Sequence, residues 1–422
     1  MSTPASLLDY LSLALSTLPG QHDFAVQVVR SQPRRSHALF PHASNLKTKI
    51  WQEEVLILLK ERAPGAEEPR LARVPVAALE ANVYTIPATG TSLVYVSKVD
   101  TSGLGSSSPS PTRTLVAAFV EHTLLHPPHE TRRVRVHVFA RAQGQYLFPG
   151  SVENKEKRVL DDKGLIRWWK ATLALAAKNV PPTPAPVQLF YLIPGLSYAD
   201  SLPYAPDSSN ATPAWSYGHP YAAVPSPLHL ASAPPAPLTD HIPNFPDDPK
   251  ARFITSLTSS AVASAGAPDD YDELVAALSV RTLNAGGASA SALEALNLER
   301  ARERTRFLDG CEGGVNEWWE RMAFRQECCS GTLVAFFVVV RDGEAAEAPS
   351  VAPKPETAAV GHTIFTKLWS QFHNVDYARP AIEKCRAAAD KWEHDVELVV
   401  RSEGHDPRSE ERRVGKECSQ GV

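Results

Sequence analysis

The chain has 422 residues, 43% of them hydrophobic, and a formal net charge of −4. That length allows two or three ordinary domains, or one large α/β unit with insertions, and the apolar share is enough for a sizeable core. The mildly acidic balance excludes a nucleic-acid binder held by bulk positive charge and leaves room for basic partners docked on local acidic patches.

Thr3-Pro4 reads as a helix start, and Leu7, Leu8, Leu11, Leu15 and Leu18 give the following helix an apolar face. Asp9 inside this stretch, with no basic leader before it, argues against a signal peptide. Phe24 to Val29 alternates like a strand, and Val55 to Leu59 is a continuous apolar run, the pattern of a strand buried on both faces. Val83 to Ile86 and Leu93 to Val99 follow as strands, then residues 101–112 as a Gly/Ser/Pro loop and Arg113 to Leu125 as a helix. Val134 to Val138 alternates as another strand, and Leu160 to Ala177 is helical. Residues 181–246 are crowded with proline and predict extended loop. Mobile insertions are expected near 200–240, 256–292 and 342–358. Trp318 to Glu327 has a helical pattern, and Thr332 to Val340 is a buried strand. One closing helix carries Phe365, Leu368, Trp369 and Phe372, and the next carries Ile382, Cys385 and Trp392. Residues 401–422 are charged, lack a periodic apolar face and are expected to form a disordered tail. The predicted architecture is one α/β domain over 1–400, a central mixed β-sheet wrapped by helices. No apolar run approaches the ~18 residues of a membrane span.

Four segments carry candidate chemistry. Tyr95 to Gly103 is a strand ending in Asp100 and running into the glycine-rich loop that opens the helix near Arg113. Ligands gather at such strand ends, and a helix N-terminus suits a pyrophosphate, although the loop lacks P-loop spacing and also reads as a plain connection. Phe139 to Trp169 joins a Tyr-Leu-Phe-Pro turn to the basic residues Lys155, Lys157 and Arg158, either a solvated loop or a binder of phosphates and adenine. Trp168 and Trp169 point about 100° apart on their helix, so either one fills the core while the other lines a pocket or both lie in the core. Asn244 to Phe253 sets Asp247, Asp248, Lys250 and Arg252 between prolines, either a surface turn or a rigid wall presenting carboxylates to a cation. The vicinal Cys328 and Cys329 have no convincing His partner and read as small buried residues. With Cys311, Cys385 and Cys418 the cysteine count is odd and lacks a CxxC pair. This argues against a disulfide framework or a zinc site and predicts a reducing, intracellular compartment.

Taken in order, VSKVDTSGLG, RAQGQYLFPGSVENKEKRVLDDKGLIRWW, FPDDPKARF and RQECCSG resemble the fungal histone H3 lysine acetyltransferases that work with histone chaperones, a family structurally related to CBP-type acetyltransferases. The resemblance covers roughly residues 1–400. It implies the CBP-type fold and acetyl-CoA as co-substrate, with no metal. Acetyl-CoA contacts would fall on Val99, Asp100, Thr101, Arg113, Phe139, Gln143, Arg158, Val159, Leu160 and Trp168. The catalytically important positions would be Asp100, Trp169 and Asp248, and the self-acetylated lysine Lys250. The implied targets are lysines of histone H3, one in the αN helix and others in the N-terminal tail. The implied partners are H3–H4 and chaperones of the anti-silencing-factor and NAP-like types, in the nucleus, in nucleosome assembly, DNA replication and the DNA damage response. Neither a membrane nor sequence-specific nucleic-acid binding is implied. The sequence departs from some members in its short Leu125–Thr131 connection and in having no lysine-rich C-terminal tail. Two rival readings are a histone-binding scaffold that kept the fold and an acyltransferase for another amine.

Overall fold

The computed structural model describes residues 6–20, 22–43, 48–62, 73–105, 110–207, 213–230, 236, 238–254, 314–325, 328, 331–343, 353, 359–402 and 411–415. The expected Thr3-Pro4 helix start, the 256–292 insertion, Cys329 and nearly all of 342–358 lie outside these residues. Where the sequence suggests one unit over 1–400, the chain separates into two compact units. One comprises Met1–Ser36, Lys49–Pro220 and Gly331–Val422, the other His37–Thr48 and Tyr221–Ser330.

The first unit is built on a ten-stranded mixed sheet. Its strands are β1 (Asp23–Arg30), β2 (Arg34–Ser36), β3 (Ile50–Arg62), β4 (Arg73–Ile86), β5 (Thr91–Thr101), β6 (Arg133–Arg141), β7 (Gln188–Leu192), β8 (Trp215–Tyr217), β9 (Val334–Asp342) and β10 (Glu411–Gly415). They lie in the order β10-β1-β3-β4-β5-β6-β9-β7-β8, with β2 paired to β3. The β5–β6 and β7–β8 pairs are parallel and the rest antiparallel. Helix α2 (Thr112–Leu125) makes the crossover that the parallel β5–β6 pair requires. Helices α1 (Leu7–Ser16) and α3 (Asp162–Lys178) pack on either side of α2, burying Leu7, Leu8, Leu11 and Leu15 of α1 and Ile166, Trp169 and Leu173 of α3. α1 starts on Ser6, whose hydroxyl accepts the Asp9 N–H at 3.1 Å. α3 starts on Asp161, whose carboxylate accepts the Gly164 N–H at 2.7 Å.

Two closing helices, α6 (His362–His373) and α7 (Ile382–Ser402), cover the other end of the sheet. On the β3–β4 face that carries Glu54, Lys60 and Glu80, His362 pairs with Glu54 at 2.7 Å, Glu393 with Lys60 at 2.5 Å, and the Trp369 indole donates to Glu80 at 2.7 Å. Within the proline-rich 181–246 stretch, read as loop, the short helix α4 (Tyr198–Ser201), β7 and β8 form instead. Glu411–Gly415, assigned from sequence to a disordered tail, pairs with β1 as an edge strand. That pairing uses backbone groups alone, which any extended segment can offer to an open sheet edge.

The second unit contains helix α5 (Gly314–Met322), the expected helix near Trp318, which ends before Glu327. Trp318 is fully buried, edge-on to Trp319 at 4.8 Å and 5.4 Å from Phe253, while Trp319 stacks on Tyr221. The Asn244 N–H donates to Leu39 O at 2.7 Å, joining the unit's two stretches of chain. No helix among the described residues is long and apolar enough to cross a membrane.

Candidate active site at the parting of β5 and β6

The two parallel central strands run side by side from Thr91↔Arg133 to Val96↔Val138 and then part. A β-bulge causes the parting: Val96 lies opposite Ala81 and Lys98 opposite Glu80, so Ser97 is an extra residue. A bulge bends its strand and raises the local twist. Beyond it, β5 continues to Thr101 against β4 alone, while Phe139 to Arg141 of β6 continue against β9 alone. The Ser97 hydroxyl fixes the bend by donating to Glu80, 2.7 Å to Oε1. The opening therefore lies at the carboxyl ends of parallel strands, where α/β sheets bind ligands. Val99, Asp100 and Thr101 stand on one side of it and Phe139, stacked on Phe336 at 4.9 Å, on the other.

The helix leaving this edge fits an anionic ligand. The N-cap of α2 is Pro111, which gives no side-chain cap, the first turn holds no acidic residue, and Arg113 is exposed there. Uncapped N–H groups and the positive end of the helix dipole both favour phosphate.

Asp100 is buried, and its carboxylate organises the loop after β6. Oδ2 accepts the N–H groups of Tyr146, Leu147 and Phe148 at 2.7, 2.9 and 3.2 Å, while Oδ1 accepts Thr101 N–H at 2.8 Å and Lys157 Nζ at 2.7 Å. Five donors fill the roughly four lone-pair sites of a carboxylate, so this group holds the loop and has no open position for a substrate proton. Lys157 also donates to Ser151 at 2.7 Å. Burial pulls the Lys157 ammonium below its ordinary pKa, and Asp100 partly offsets that. Burial, then Asp100, pushes the Tyr146 phenol up to about 12, and its hydroxyl donates to Arg141 O. Gly103, at φ +70°, lets the β5 loop pass close to the segment Tyr146–Lys157, the strap, where an added Cβ would stand 2.7 Å from Lys157 Cβ.

The basic cluster read from sequence is therefore split. The Lys157 side chain is 4% exposed and committed to Asp100, while Lys155 and Arg158 are exposed. Gln143 and Val159 are also exposed, and Leu160 is half-buried. Trp168 and Trp169 stand edge-to-face at 5.0 Å. Trp169 fills the core at 5% exposure, and the half-buried Trp168 packs against the same core.

Asp248 and Lys250 belong to the second unit, and both are buried. The surface-turn reading holds for Pro246-Asp247 and for Arg252, which are exposed, and fails for Asp248 and Lys250. The Lys250 ammonium pairs with Asp248 Oδ2, the Lys250 N–H donates to Asp248 Oδ1 at 2.9 Å, and the Phe245 ring lies 5.8 Å from the ammonium. Burial raises the Asp248 carboxyl above the usual range and lowers the Lys250 amine, each only partly offset by the other. Cys328 is buried and outside any disulfide, in line with the small-residue reading.

Sequence reasoning missed the bulge at Ser97, the burial of Lys157 against Ser151, and Asn154, a buried loop residue that ties three segments together. The only signal was the polar run after Pro149, whose individual roles depend on chain from distant positions.

A family model described as the histone acetyltransferase KAT11-type domain matches residues 107–393. The histone acetyltransferase rtt109 of Aspergillus flavus is 27% identical over 359 residues, spanning 79% of this chain and 56% of that protein. The rtt109 of Schizosaccharomyces pombe is 26% identical over 261 residues, 58% of this chain and 52% of that protein. The chain thus spans about half the length of these curated relatives. A crystal structure of Rtt109 from Aspergillus fumigatus superposes with a TM-score of 0.67 at 23% identity, covering 94% of this chain and 96% of that one, which shows a shared fold.

Proposed function

The chain belongs to the family of KAT11-type histone acetyltransferases, and from that membership we propose that it transfers acetyl groups from acetyl-CoA to lysines of histone H3. The observation that carries this reading is the opening between β5 and β6, with a strapped loop on Asp100 and an uncapped α2 N-terminus at the same sheet edge. The pantetheine and phosphates of an acyl-CoA suit such a groove beside a helix N-terminus.

When bound, acetyl-CoA supplies a thioester carbonyl open to attack by an amine and a thiolate as leaving group. The α2 N-terminus with Arg113, together with Arg158, Val159 and Leu160 before α3, holds the phosphates. Val99, Thr101, Phe139, Gln143 and the half-buried Trp168 line the remainder. Asp100 serves by positioning the Tyr146–Phe148 backbone, because its oxygens already carry five donors. A substrate lysine, at a reference pKa of ~10.4, has to lose a proton before it attacks. The sequence resemblance gives Asp248 a catalytic role as well, and burial raises its carboxyl toward the range in which a carboxylate can accept a proton. The resemblance gives Trp169 a role at the substrate lysine, and from its place in the core it would act there by supporting Trp168, which it meets edge-to-face at 5.0 Å.

Lys250 is the proposed self-acetylation site. Acetylation removes a charge that burial already disfavours and frees Asp248 from its partner. The finer targets, an αN-helix lysine and tail lysines of H3, come from the sequence resemblance. So do presentation by chaperones of the anti-silencing-factor and NAP-like types, nuclear localisation and a role in DNA replication and repair.

The experiment is product analysis by mass spectrometry, with acetyl-CoA and either chaperone-presented H3–H4 or free polyamines. Acetyl-lysine on H3, and on Lys250 of the enzyme, is the expected result. Acetylation of polyamines alone, or of neither substrate by folded protein, overturns the proposal.

A further inference from the structure

The strap over the opening has a second anchor, far away in sequence. Asn154 sits at its centre, 4% exposed. Its side-chain amide donates to Ser102 O at 2.6 Å and to Tyr377 O at 2.8 Å, and its Oδ1 accepts the Arg379 N–H at 2.5 Å. One side chain thus joins the end of β5, the strap, and the turn between α6 and α7. Around it, Tyr377 N–H donates to Pro149 O at 2.8 Å, the Tyr377 ring stands edge-on to Phe148 at 4.8 Å, and Arg379 Nη2 reaches Gly103 O at 3.3 Å. The turn is fixed in its own right, since its helices are tied to β3 and β4 through His362–Glu54, Glu393–Lys60 and Trp369–Glu80.

We infer that Asn154 is a positioning residue for the acetyl-CoA site, and that through it the α6–α7 hairpin sets the geometry of the strap over the β5–β6 opening. This rests on the acetyl-transfer reading above. The chemistry of the amide is specific. Both N–H groups face carbonyl oxygens and the oxygen faces an N–H, so no residue of the same shape reproduces the set. Aspartate fits the space but turns a carboxylate toward two carbonyls and deprives both of their donor. Asp100 fixes the strap at Tyr146–Phe148 and again at Lys157, and Asn154 fixes the stretch between them. With the Asn154 tie cut, that stretch shifts against the end of β5, and Arg158 to Leu160, which follow it, lose part of their registration to the α2 N-terminus.

The experiment uses the full chain and two independent cuts. Asn154→Asp breaks the node from the strap. Arg379→Pro breaks it from the turn by removing the N–H that Asn154 Oδ1 accepts together with the guanidinium, and Arg379→Ala is the control that removes the guanidinium alone. Proline is tolerated there because Arg379 opens a short 3-10 turn and Ala378 before it is already extended, at φ −63° and ψ 139°. The expected result is an acetyl-CoA Kd by calorimetry, and a KM for acetyl-CoA, raised about tenfold in Asn154→Asp. Arg379→Pro should raise both severalfold over Arg379→Ala. The KM for histone should stay within about twofold. If Asn154→Asp does not fold, the Arg379 pair decides alone. Equal acetyl-CoA KM in Arg379→Pro and Arg379→Ala, or equal losses toward both substrates, overturns the inference and leaves the acetyl-transfer reading standing. A wild-type chain that binds no acetyl-CoA overturns both.

Discussion

Replacing Asp100 by asparagine should loosen the strap and destabilise the first unit rather than merely slow a proton transfer. The amide oxygen can still accept from Tyr146, Leu147 and Phe148, but its NH2 then faces the Lys157 ammonium and the Thr101 N–H, donor against donor. Lys157 has a side chain only 4% exposed, so it is left as a buried charge hydrogen-bonded to Ser151. Removing one member of a buried pair costs about 3–5 kcal/mol. A ceiling follows from the alternative open to Lys157, which is to give up its proton. Bringing an amine of reference pKa ~10.4 to neutrality near pH 7 spans about 3.4 units at ~1.36 kcal/mol each, or about 5 kcal/mol. Both routes agree on about 3–5 kcal/mol, which corresponds to roughly ten degrees in Tm for a unit of this size. Thermal and denaturant unfolding measure it, beside calorimetry with acetyl-CoA. The double variant Asp100→Asn, Lys157→Met should recover much of the stability, because it removes the orphaned charge. A single variant with wild-type Tm and acetyl-CoA affinity but a hundredfold lower kcat would refute the clamp and restore Asp100 as a proton acceptor.

Reversing charge at Arg113 and Arg158 together should raise the acetyl-CoA Kd at least tenfold with little change in Tm, since both side chains are exposed. Unchanged affinity in calorimetry removes them from the phosphate site. Trp169→Ala should cost about 3–5 kcal/mol by denaturant unfolding, as expected for a buried tryptophan. Trp168→Ala should weaken acetyl-CoA binding at a smaller stability loss, and equal losses in stability would place both indoles in the core alone. Acid stability should depend on Asp23. Burial pushes its carboxyl up, but Arg73 and Arg62 together outweigh that and hold it below the ordinary carboxylate range. The folded pKa being the lower one, this contribution is present above the unfolded value near ~3.9 and is lost as pH falls through the folded value. Asp23→Asn should therefore flatten the acid limb of a Tm–pH profile, and a parallel downward shift at every pH would count against the pairing.

Periodicity alone located most of the scaffold. Leu7 to Leu15, Val134 to Val138 and the two closing helices lie within the observed elements because each buries a face that only its own period can produce, while Val55 to Leu59 and Leu93 to Val99 lie within strands flanked by strands on both sides. β4 was legible only at its end. Its first half, with Pro75 and the run Val76-Ala77-Ala78-Leu79-Glu80-Ala81, has the composition of a helix, yet it is buried on both faces between β3 and β5. Local propensity yields there to the two neighbouring strands. β8 and β10 were hidden for a related reason, because edge pairing asks little of side chains, and β7, held between β9 and β8, was hidden by the prolines around it.

The same division runs through the candidate site. The sequence by itself determined which residues are of the right chemical type: an acid at a strand end, a glycine loop before a helix, a basic aromatic segment, a tryptophan pair and an acidic turn around Lys250. Those are properties of short stretches, and short stretches carry motifs. Only the tertiary structure decided what each one does. It buried Lys157 against Asp100, Trp169 in the core and Lys250 against Asp248, and it left Arg113 and Arg158 exposed. Burial sets charge state and availability, and it depends on chain that is remote in sequence. Asn154 meets Tyr377 across 223 positions, and no local pattern encodes such a meeting.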